Sequence, residues 1–142
     1  MPFDNNRPTT VDQLMYIRAI LARPEKWCQH QARDGDAHSI AGATWAAGVD
    51  TSPFRRFRGP NMTYPGHLKR GQIPEACWFL RQALRKLDPN SDGLIYKWND
   101  APERTHAEVL ELLDLAIELV LADMKDSAVI EQLGRGAHAL VH

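Results

Sequence analysis

The longest regular pattern of apolar positions lies in the second half of the chain. From Val109 to Leu121, apolar residues recur every three or four positions, and the carboxylates Glu111, Asp114 and Glu118 lie on the other side. This spacing places the apolar side chains on one face and predicts an amphipathic helix of about 18 to 22 residues. Thr105 and Glu108 have the Thr-x-x-Glu spacing of a capping box, so the helix is predicted to begin there. A further short helix is predicted over residues 127–133.

Two other helices are predicted from shorter patterns. Thr10 and Gln13 have the spacing of a capping box, and the apolar positions after them predict a helix over residues 11–22 that ends before Pro24. Pro74 is expected at the first position of another helix. Its predicted apolar stripe contains Cys77, Leu80, Leu84 and Leu87, and its predicted polar side contains Arg81, Arg85 and Lys86.

The segments between these helices have weaker patterns. Asp34-Gly35-Asp36 is a turn sequence that allows a short hairpin, and the small residues of 39–47 predict a short buried helix that ends at Gly48. Proline and glycine recur through residues 50–73, which predicts a long irregular loop. Residues 94–98 are predicted to form a short strand or an extended connector.

These elements predict a mostly α protein. The expected architecture is a single domain over residues 1–142, a small bundle of four to five helices with a long irregular basic loop at 50–73 and one short hairpin. Residues 1–9 and 134–142 are expected to be mobile tails.

Composition is that of an ordinary globular domain. The 142 residues are 44% hydrophobic and 25% charged, with a net charge of -1. No apolar run reaches the length of a membrane-spanning helix, and the first ten residues lack the features of a signal peptide, so a cytoplasmic location is expected. Cys28 and Cys77 are expected to be free thiols.

The near-neutral total conceals two segments of opposite charge. Residues 54–86 contain eight basic side chains and one acidic side chain, whereas residues 87–133 contain eleven acidic and three basic ones. The two segments could attract each other within the fold, or the basic one could face an anionic partner.

The sequence WNDAPERTHAEV, which begins at Trp98, resembles the signature W-N-D-x-P-x-R-T-x-x-E-V of a family of small uncharacterised domains in bacteria and their phages. That family also has a G-W-C/T-Q segment, similar to Trp27-Cys28-Gln29, and a C-x-x-G-A segment, similar to residues 39–43. The chain departs from the pattern with Ser39 in place of cysteine, and with Lys26 and His30 in place of glycines. The resemblance covers roughly residues 11–120. It implies a fold and an origin, and it assigns no function.

The basic loop is the first candidate binding site. In residues 54–70, the aromatic residues Phe54, Phe57 and Tyr64 alternate with basic ones, a composition that suits phosphate and base contacts. The basic candidates are Arg55, Arg56, Arg58, Lys69 and Arg70. No glycine-rich phosphate-binding motif accompanies them. The alternative is structural: the aromatics pin the loop to the core, and its arginines pair with the acidic last helix.

Asn99, Asp100 and Arg104 form a second candidate. They could bind an anion or orient a ligand. Equally, the side-chain oxygens could cap a turn locally, and Arg104 could pair with Asp100.

Cys28 is a candidate nucleophile, with His30 or His38 as the base and Asn99 or Asp100 as the orienting group. The alternative is an inert thiol beside a core tryptophan, and Cys77 is expected in the core. A metal site of Cys28, His30, Asp36 and His38 lacks a standard zinc spacing, so neither a metal nor a cofactor is predicted.

We therefore expect a small cytoplasmic helical binding protein of bacterial or phage origin. Its partner would be anionic: a nucleotide, a nucleic acid or an acidic protein surface. One alternative is a small hydrolase or transferase that uses Cys28. Another is a self-associating assembly protein in which the long apolar stripe or the tail docks a second copy. The residues favour a role without catalysis.

Overall fold

The computed structural model describes residues 9–59 and 63–141, with side chains through residue 134. Within these ranges a two-stranded hairpin and five α-helices follow one another, and the protein is mostly α as predicted. The helices and strands are α1 (Thr10–Ile20), β1 (Arg33–Asp34), β2 (Ala37–His38), α2 (Ile40–Ala46), α3 (Glu75–Leu87), α4 (Ile95–Asn99) and α5 (His106–Val141). Short 3-10 helices occupy Pro24–Lys26 and Ser52–Phe57.

The main core lies where α1 and α3 pack against the first half of α5. The predicted stripe of α5 is confirmed as far as Val120: its fully buried members are Val109, Leu112, Leu113 and Ala116, with Val120 3% exposed. They meet Leu14 and Ile17 from α1 and Leu80 and Leu84 from α3. Leu121, predicted as the last member of the stripe, is 50% exposed, and that part of the prediction is wrong. Arg18 on α1 forms an ion pair with Asp114 on α5, with 2.6 Å between Nε and Oδ1.

The start of α5 is confirmed, whereas two other predicted helix starts are wrong by one residue. Glu108 N donates to Thr105 Oγ1, and Thr105 N donates to Glu108 Oε1. In α1 the capping box joins Thr9 and Asp12, because the backbone of Thr9 is extended and Thr10 is already helical. Pro74 is likewise the N-cap of α3 and not its first residue.

Residues 94–98 are predicted to be a strand or a connector, and that prediction is wrong: Leu94 is the N-cap of the one-turn helix α4, and residues 95–98 lie within it. A single turn is too short to show a 3.6-residue period, so the pattern could not reveal it. Burial holds it in place: Trp98 is 7% exposed and Asn99 is 1% exposed.

The last helix is much longer than predicted. α5 runs for 36 residues, a length of about 54 Å, and the separate helix predicted over residues 127–133 is part of it. Gly134 does not end α5, since its φ is not in the left-handed region. Beyond the core, α5 exposes Leu121, Met124, Val129, Ile130 and Leu133. The helical backbone continues through the predicted tail as far as Val141, and residues 1–8 lie outside the described residues.

The predicted hairpin is confirmed. Arg33 pairs with His38 and Asp34 with Ala37, and the left-handed Gly35 lies in the turn. The hairpin lies against α2, whose N-cap Ser39 accepts from Gly42 N at 3.0 Å. Any side chain at position 42 would overlap the carbonyl oxygen of Ala32. Gly42 therefore permits a backbone contact between the hairpin and α2.

Two arginines of α3 donate hydrogen bonds to backbone carbonyls of the basic loop. Arg81, predicted on the polar side of α3, is 4% exposed, and that prediction is wrong. Its guanidinium donates to the carbonyls of Tyr64 (2.7 Å), Pro65 (2.9 Å) and Gly93 (3.0 Å), while Arg85 donates to Gly66 O. Carbonyls of an irregular segment need donors when they are buried, and arginine supplies several from one side chain.

The loop also has an apolar cluster of its own. It consists of Tyr64, Leu68 and Ile73, packed by Phe54, Phe57, Cys77 and Trp78. The aromatics thus pin the loop to the core, as the structural alternative predicted. Among the described residues, none of the helices combines the length and apolar character that crossing a membrane requires.

Candidate functional site

Asn99 is the centre of a buried polar network. Its Oδ1 accepts from Trp27 Nε1 at 2.8 Å and from Ile40 N at 3.1 Å. Its Nδ2 donates to Cys28 O at 3.2 Å and to Asp100 Oδ1 at 2.9 Å. A side-chain amide has two donor hydrogens and a carbonyl acceptor, and here all of them are used.

The residues around Cys28 are fastened to the same network. Gln29 Nε2 donates to Asn99 O and to Ala101 O, each at 2.8 Å. His30 has a left-handed backbone with φ of 70°, and its N donates to Asp100 Oδ1 at 2.8 Å. The tryptophan-cysteine-glutamine segment, the start of α2 and the end of α4 therefore meet at one amide.

A groove lies beside this network, and we call it the polar groove. It has a volume of about 630 Å³. Its lining includes His30, Ser39, Thr63, Tyr96, Asn99 and Asp100. Asp100 and Asn99 thus both border the groove, and the buried Asn99 also bonds to the segments that form it.

A second opening, the arginine groove, adjoins the polar groove. Its volume is about 330 Å³, and it is lined by Arg56, Phe57, Arg58, Thr63, Tyr64 and Tyr96, among others. Thr63 and Tyr96 line both grooves. The basic loop and the signature residues therefore border one continuous region, with Tyr96 between them.

A small recess opens at the same place. It holds about 40 Å³ and is mostly apolar, with Ala41, Leu80, Leu94 and Ile95 in its lining. Thr63, Tyr64 and Tyr96 line it as well. These three residues therefore connect the recess with the arginine groove.

The arginines of the 3-10 helix face the exterior. Arg55 and Arg56 are exposed, and the guanidinium of Arg56 lies 4.8 Å from the centre of the Phe57 ring. Arg58 is half-buried and donates from Nη1 to Thr51 Oγ1 at 2.6 Å. Arg56 and Arg58 both line the arginine groove.

Arg70 is engaged within the fold. It forms ion pairs with Glu75 (2.9 Å) and Asp123 (3.0 Å), and its guanidinium lies 4.9 Å from the centre of the Trp78 ring. Its hydrogen bonds to Asp123 lower the pKa of that carboxyl group. Lys69 is exposed. Arg70 thus joins the basic loop to α5, the pairing that the structural alternative predicted.

Arg104 lies outside both grooves and the recess. It donates to Trp98 O at 2.9 Å and to Glu108 at 3.1 Å, and its guanidinium stacks 3.9 Å from the centre of the Trp98 ring. These contacts tie α4 to the first turn of α5.

The environment of Cys28 favours the protonated thiol over the thiolate. Burial raises the pKa of the thiol, and the charges of Asp34 and Asp100 raise it further. The Sγ atom lies 3.5 Å from Gln31 O, and among the described residues no hydrogen bond joins it to a histidine. His38 Nδ1 is buried without a partner among those residues. Burial also raises the pKa of Cys77, to about 12.

The described part of the chain contains no group of three or more histidine, cysteine, aspartate or glutamate side chains that could hold a metal ion. Cys28, His30, Asp36 and His38 therefore do not form such a cluster.

Sequence reasoning missed the side chains that join the grooves. Tyr96 lies in the segment predicted to be a strand or a connector, and Thr63 lies in a loop without a pattern. Gln29 and Gly42 were part of the resemblance, although no role was predicted for them. Their positions within matched segments were the available signal.

The family model of DUF6197, a family of unknown function, matches residues 5–119. The chain belongs to this family. The predicted resemblance to an uncharacterised domain family is confirmed at that level. No curated protein and no solved structure matches the chain. The part matched by DUF6197 contains the Asn99 network, both grooves and the recess, and it ends just before α5 leaves the core.

Proposed function

We propose that this DUF6197 protein is a binding module that takes a phosphate-bearing partner, a nucleotide or a single-stranded nucleic acid, in the arginine groove. The observation that carries the proposal is the lining of this groove, where Arg56 and Arg58 occur with the aromatic side chains of Phe57 and Tyr96. Arginine binds phosphate through charge-assisted hydrogen bonds, and aromatic rings stack on bases. We also propose that the protein is cytoplasmic and of bacterial or phage origin.

The distribution of internal contacts supports this choice of residues. Three arginines already bond to carboxylates or carbonyls of the fold: Arg70, Arg81 and Arg85. Arg55 and Arg56 are exposed on the Ser52–Phe57 helix, beside the groove. Arg58 donates to Thr51 Oγ1 but lines the groove, whereas the exposed Lys69 lines neither groove. We therefore propose that the basic residues at 55, 56 and 58 are the ones that meet the partner.

A labelled single-stranded thymidine 20-mer and fluorescence anisotropy test the proposal. We expect binding that weakens steeply between 50 and 200 mM salt, since phosphate contacts release counterions (about a tenfold change or more). Replacement of Arg55, Arg56 and Arg58 by alanine should weaken binding by roughly tenfold or more at low salt.

The matched control removes three positive charges elsewhere. Lys86, Lys97 and Lys125 are exposed and line neither groove, so their replacement by alanine should leave most of the affinity. Equal losses in the two triple variants, or binding that does not change with salt, would overturn the proposal.

Self-association is a second candidate function, favoured by the outer half of α5. Val129, Ile130 and Leu133 recur at i, i+1 and i+4 and are 47%, 69% and 68% exposed. Leu121 and Met124 are exposed too, but they lie on other sides of α5, so Val129, Ile130 and Leu133 make up the apolar face of its outer half. A second copy of α5 would cover the same apolar positions symmetrically.

Sedimentation equilibrium over a wide concentration range tests this candidate. The Ile130→Lys and Leu133→Lys double variant should sediment as a monomer at concentrations where the parent protein associates. The control places lysines at the exposed polar positions Ser127 and Gln132 and should associate like the parent protein. A parent protein that is monomeric throughout would exclude the assembly role.

A further inference from the structure

The hydroxyl group of Tyr64 is buried without a hydrogen-bond partner among the described residues. The residue is only 4% exposed, and its carbonyl oxygen is held by Arg81 at 2.7 Å. A buried hydroxyl that lacks a partner destabilises a fold by about 1 to 3 kcal/mol, so such groups are rare and call for an explanation.

Tyr64 lines both the recess and the arginine groove. Two other polar groups of the recess have partners within the fold: Thr44 Oγ1 donates to Ile40 O at 2.8 Å, and Arg81 donates to three carbonyls. Of these three groups, the hydroxyl of Tyr64 alone lacks a hydrogen-bond partner among the described residues.

Chemistry and size restrict what Tyr64 can meet. Burial raises the pKa of Tyr64 to about 12, so its hydroxyl keeps its proton at neutral pH. The recess, at about 40 Å³, exceeds the space of one water, for which roughly 10 to 15 Å³ suffices. It is too small for a whole ring. Its apolar lining suits an uncharged polar group at the edge of a larger planar molecule.

Tyr96 is placed to hold the rest of such a molecule. Its side chain is 38% exposed, and it borders the recess and both grooves. A base lying against Tyr96 could direct its edge into the recess, while its phosphate remains beside Arg56 and Arg58. The charge of Arg58 is close enough to affect the pKa of Tyr64, which it lowers slightly against the effect of burial.

We infer that the partner of the arginine groove is a nucleotide whose base edge forms a hydrogen bond with the hydroxyl of Tyr64 in the recess. This inference rests on the proposed function, because it places the phosphate of the nucleotide on the same arginines. It adds a base-recognition residue that phosphate binding alone does not need.

Calorimetric titration of Tyr64→Phe with AMP, CMP, GMP, UMP and pyrophosphate tests the inference. At least one nucleoside monophosphate should bind about tenfold more weakly to this variant than to the parent protein, whereas pyrophosphate binding should not change. Thermal stability should stay the same or rise, since the variant no longer buries an unpartnered hydroxyl. Tyr16→Phe, at an exposed tyrosine of α1, is the matched control and should change neither property.

The other outcomes separate the inference from the proposed function. If pyrophosphate binds through the arginines and no nucleotide is affected by Tyr64→Phe, the base-recognition inference is wrong and the phosphate site stands. If neither pyrophosphate nor any nucleotide binds the parent protein, and the thymidine 20-mer does not bind either, both fail. A clear loss of stability in Tyr64→Phe would reveal a partner for the hydroxyl within the fold and would overturn the inference.

Discussion

Asn99 joins its own helix α4 to two earlier segments, at Trp27-Cys28 and at Ile40, through its side-chain amide. Because these partners are buried or half-buried, a shorter side chain would leave donors and acceptors without hydrogen bonds. We expect Asn99→Ala to lower the free energy of unfolding by about 3 kcal/mol, measured by urea denaturation.

Asn90 provides the control for Asn99. It is exposed in the turn that follows α3, and Asn90→Ala should change the free energy of unfolding by no more than about 0.5 kcal/mol. Similar losses in the two variants would show that the Asn99 network does not organise the fold.

Cys28 should be a slow nucleophile. Because its pKa is raised, the reactive thiolate is scarcer at neutral pH than in an unfolded peptide. We expect alkylation of Cys28 by iodoacetamide at pH 7.5 to be slower in the folded protein than in urea, followed by mass spectrometry of the peptides. Faster alkylation in the folded state would revive the hydrolase or transferase alternative.

The start of α1 allows the two possible capping boxes to be separated. Thr9 caps the helix and Thr10 is its first residue, so Thr9→Ala should lower the free energy of unfolding by about 1 kcal/mol. Thr10→Ala should change it by less than about 0.5 kcal/mol. Chemical denaturation measures the free energy of unfolding of both variants. A larger decrease for Thr10→Ala than for Thr9→Ala would contradict the observed cap.

Long helices could be predicted from the sequence because burial of one face leaves a visible period. The stripe from Val109 to Val120 and the cap at Thr105 are examples. The sequence could not predict the short helix α4 or the burial of Arg81, since each depends on contacts with distant segments. Arg81 is bound by carbonyls that no local pattern connects to α3.

The candidate site was only partly predictable for the same reason. Composition placed Arg56, Arg58 and Tyr64 in one loop, and resemblance selected Asn99 and Asp100. Nothing in the sequence distinguishes the buried Tyr64 from the exposed Tyr96, or indicates that both border one recess. The opposite charges of residues 54–86 and 87–133 do predict an attraction between these segments, and Arg70 and Asp123 form an ion pair between them.

The whole molecule should lose stability in acid. The pKa values of Asp92, Glu108 and Asp123 are lowered, chiefly by hydrogen bonds from Leu94 N, Thr105 N and Arg70 respectively. A carboxyl group with a lowered pKa contributes stability above its ordinary value, here 3.8 or 4.5, and loses that contribution as the pH falls through the folded value.

We therefore expect the free energy of unfolding to change little between pH 7 and about pH 5 on account of these groups, and to fall below about pH 4.5. Asp123→Asn should make the fall shallower, because one proton fewer is taken up on unfolding. Asp126→Asn, three residues further along α5, is the control. Thermal denaturation at a series of pH values measures this dependence, and unchanged slopes in Asp123→Asn would contradict it.

The length of α5 has a consequence for hydrodynamics. A compact chain of 142 residues has a radius of gyration of roughly 14 to 15 Å, whereas α5 alone is about 54 Å long. A monomer with such a projecting rod experiences more friction than a sphere of the same mass, so it should leave a gel-filtration column early. An early elution volume would therefore suggest a dimer even for a single chain, and only a method that is independent of shape can report the true mass.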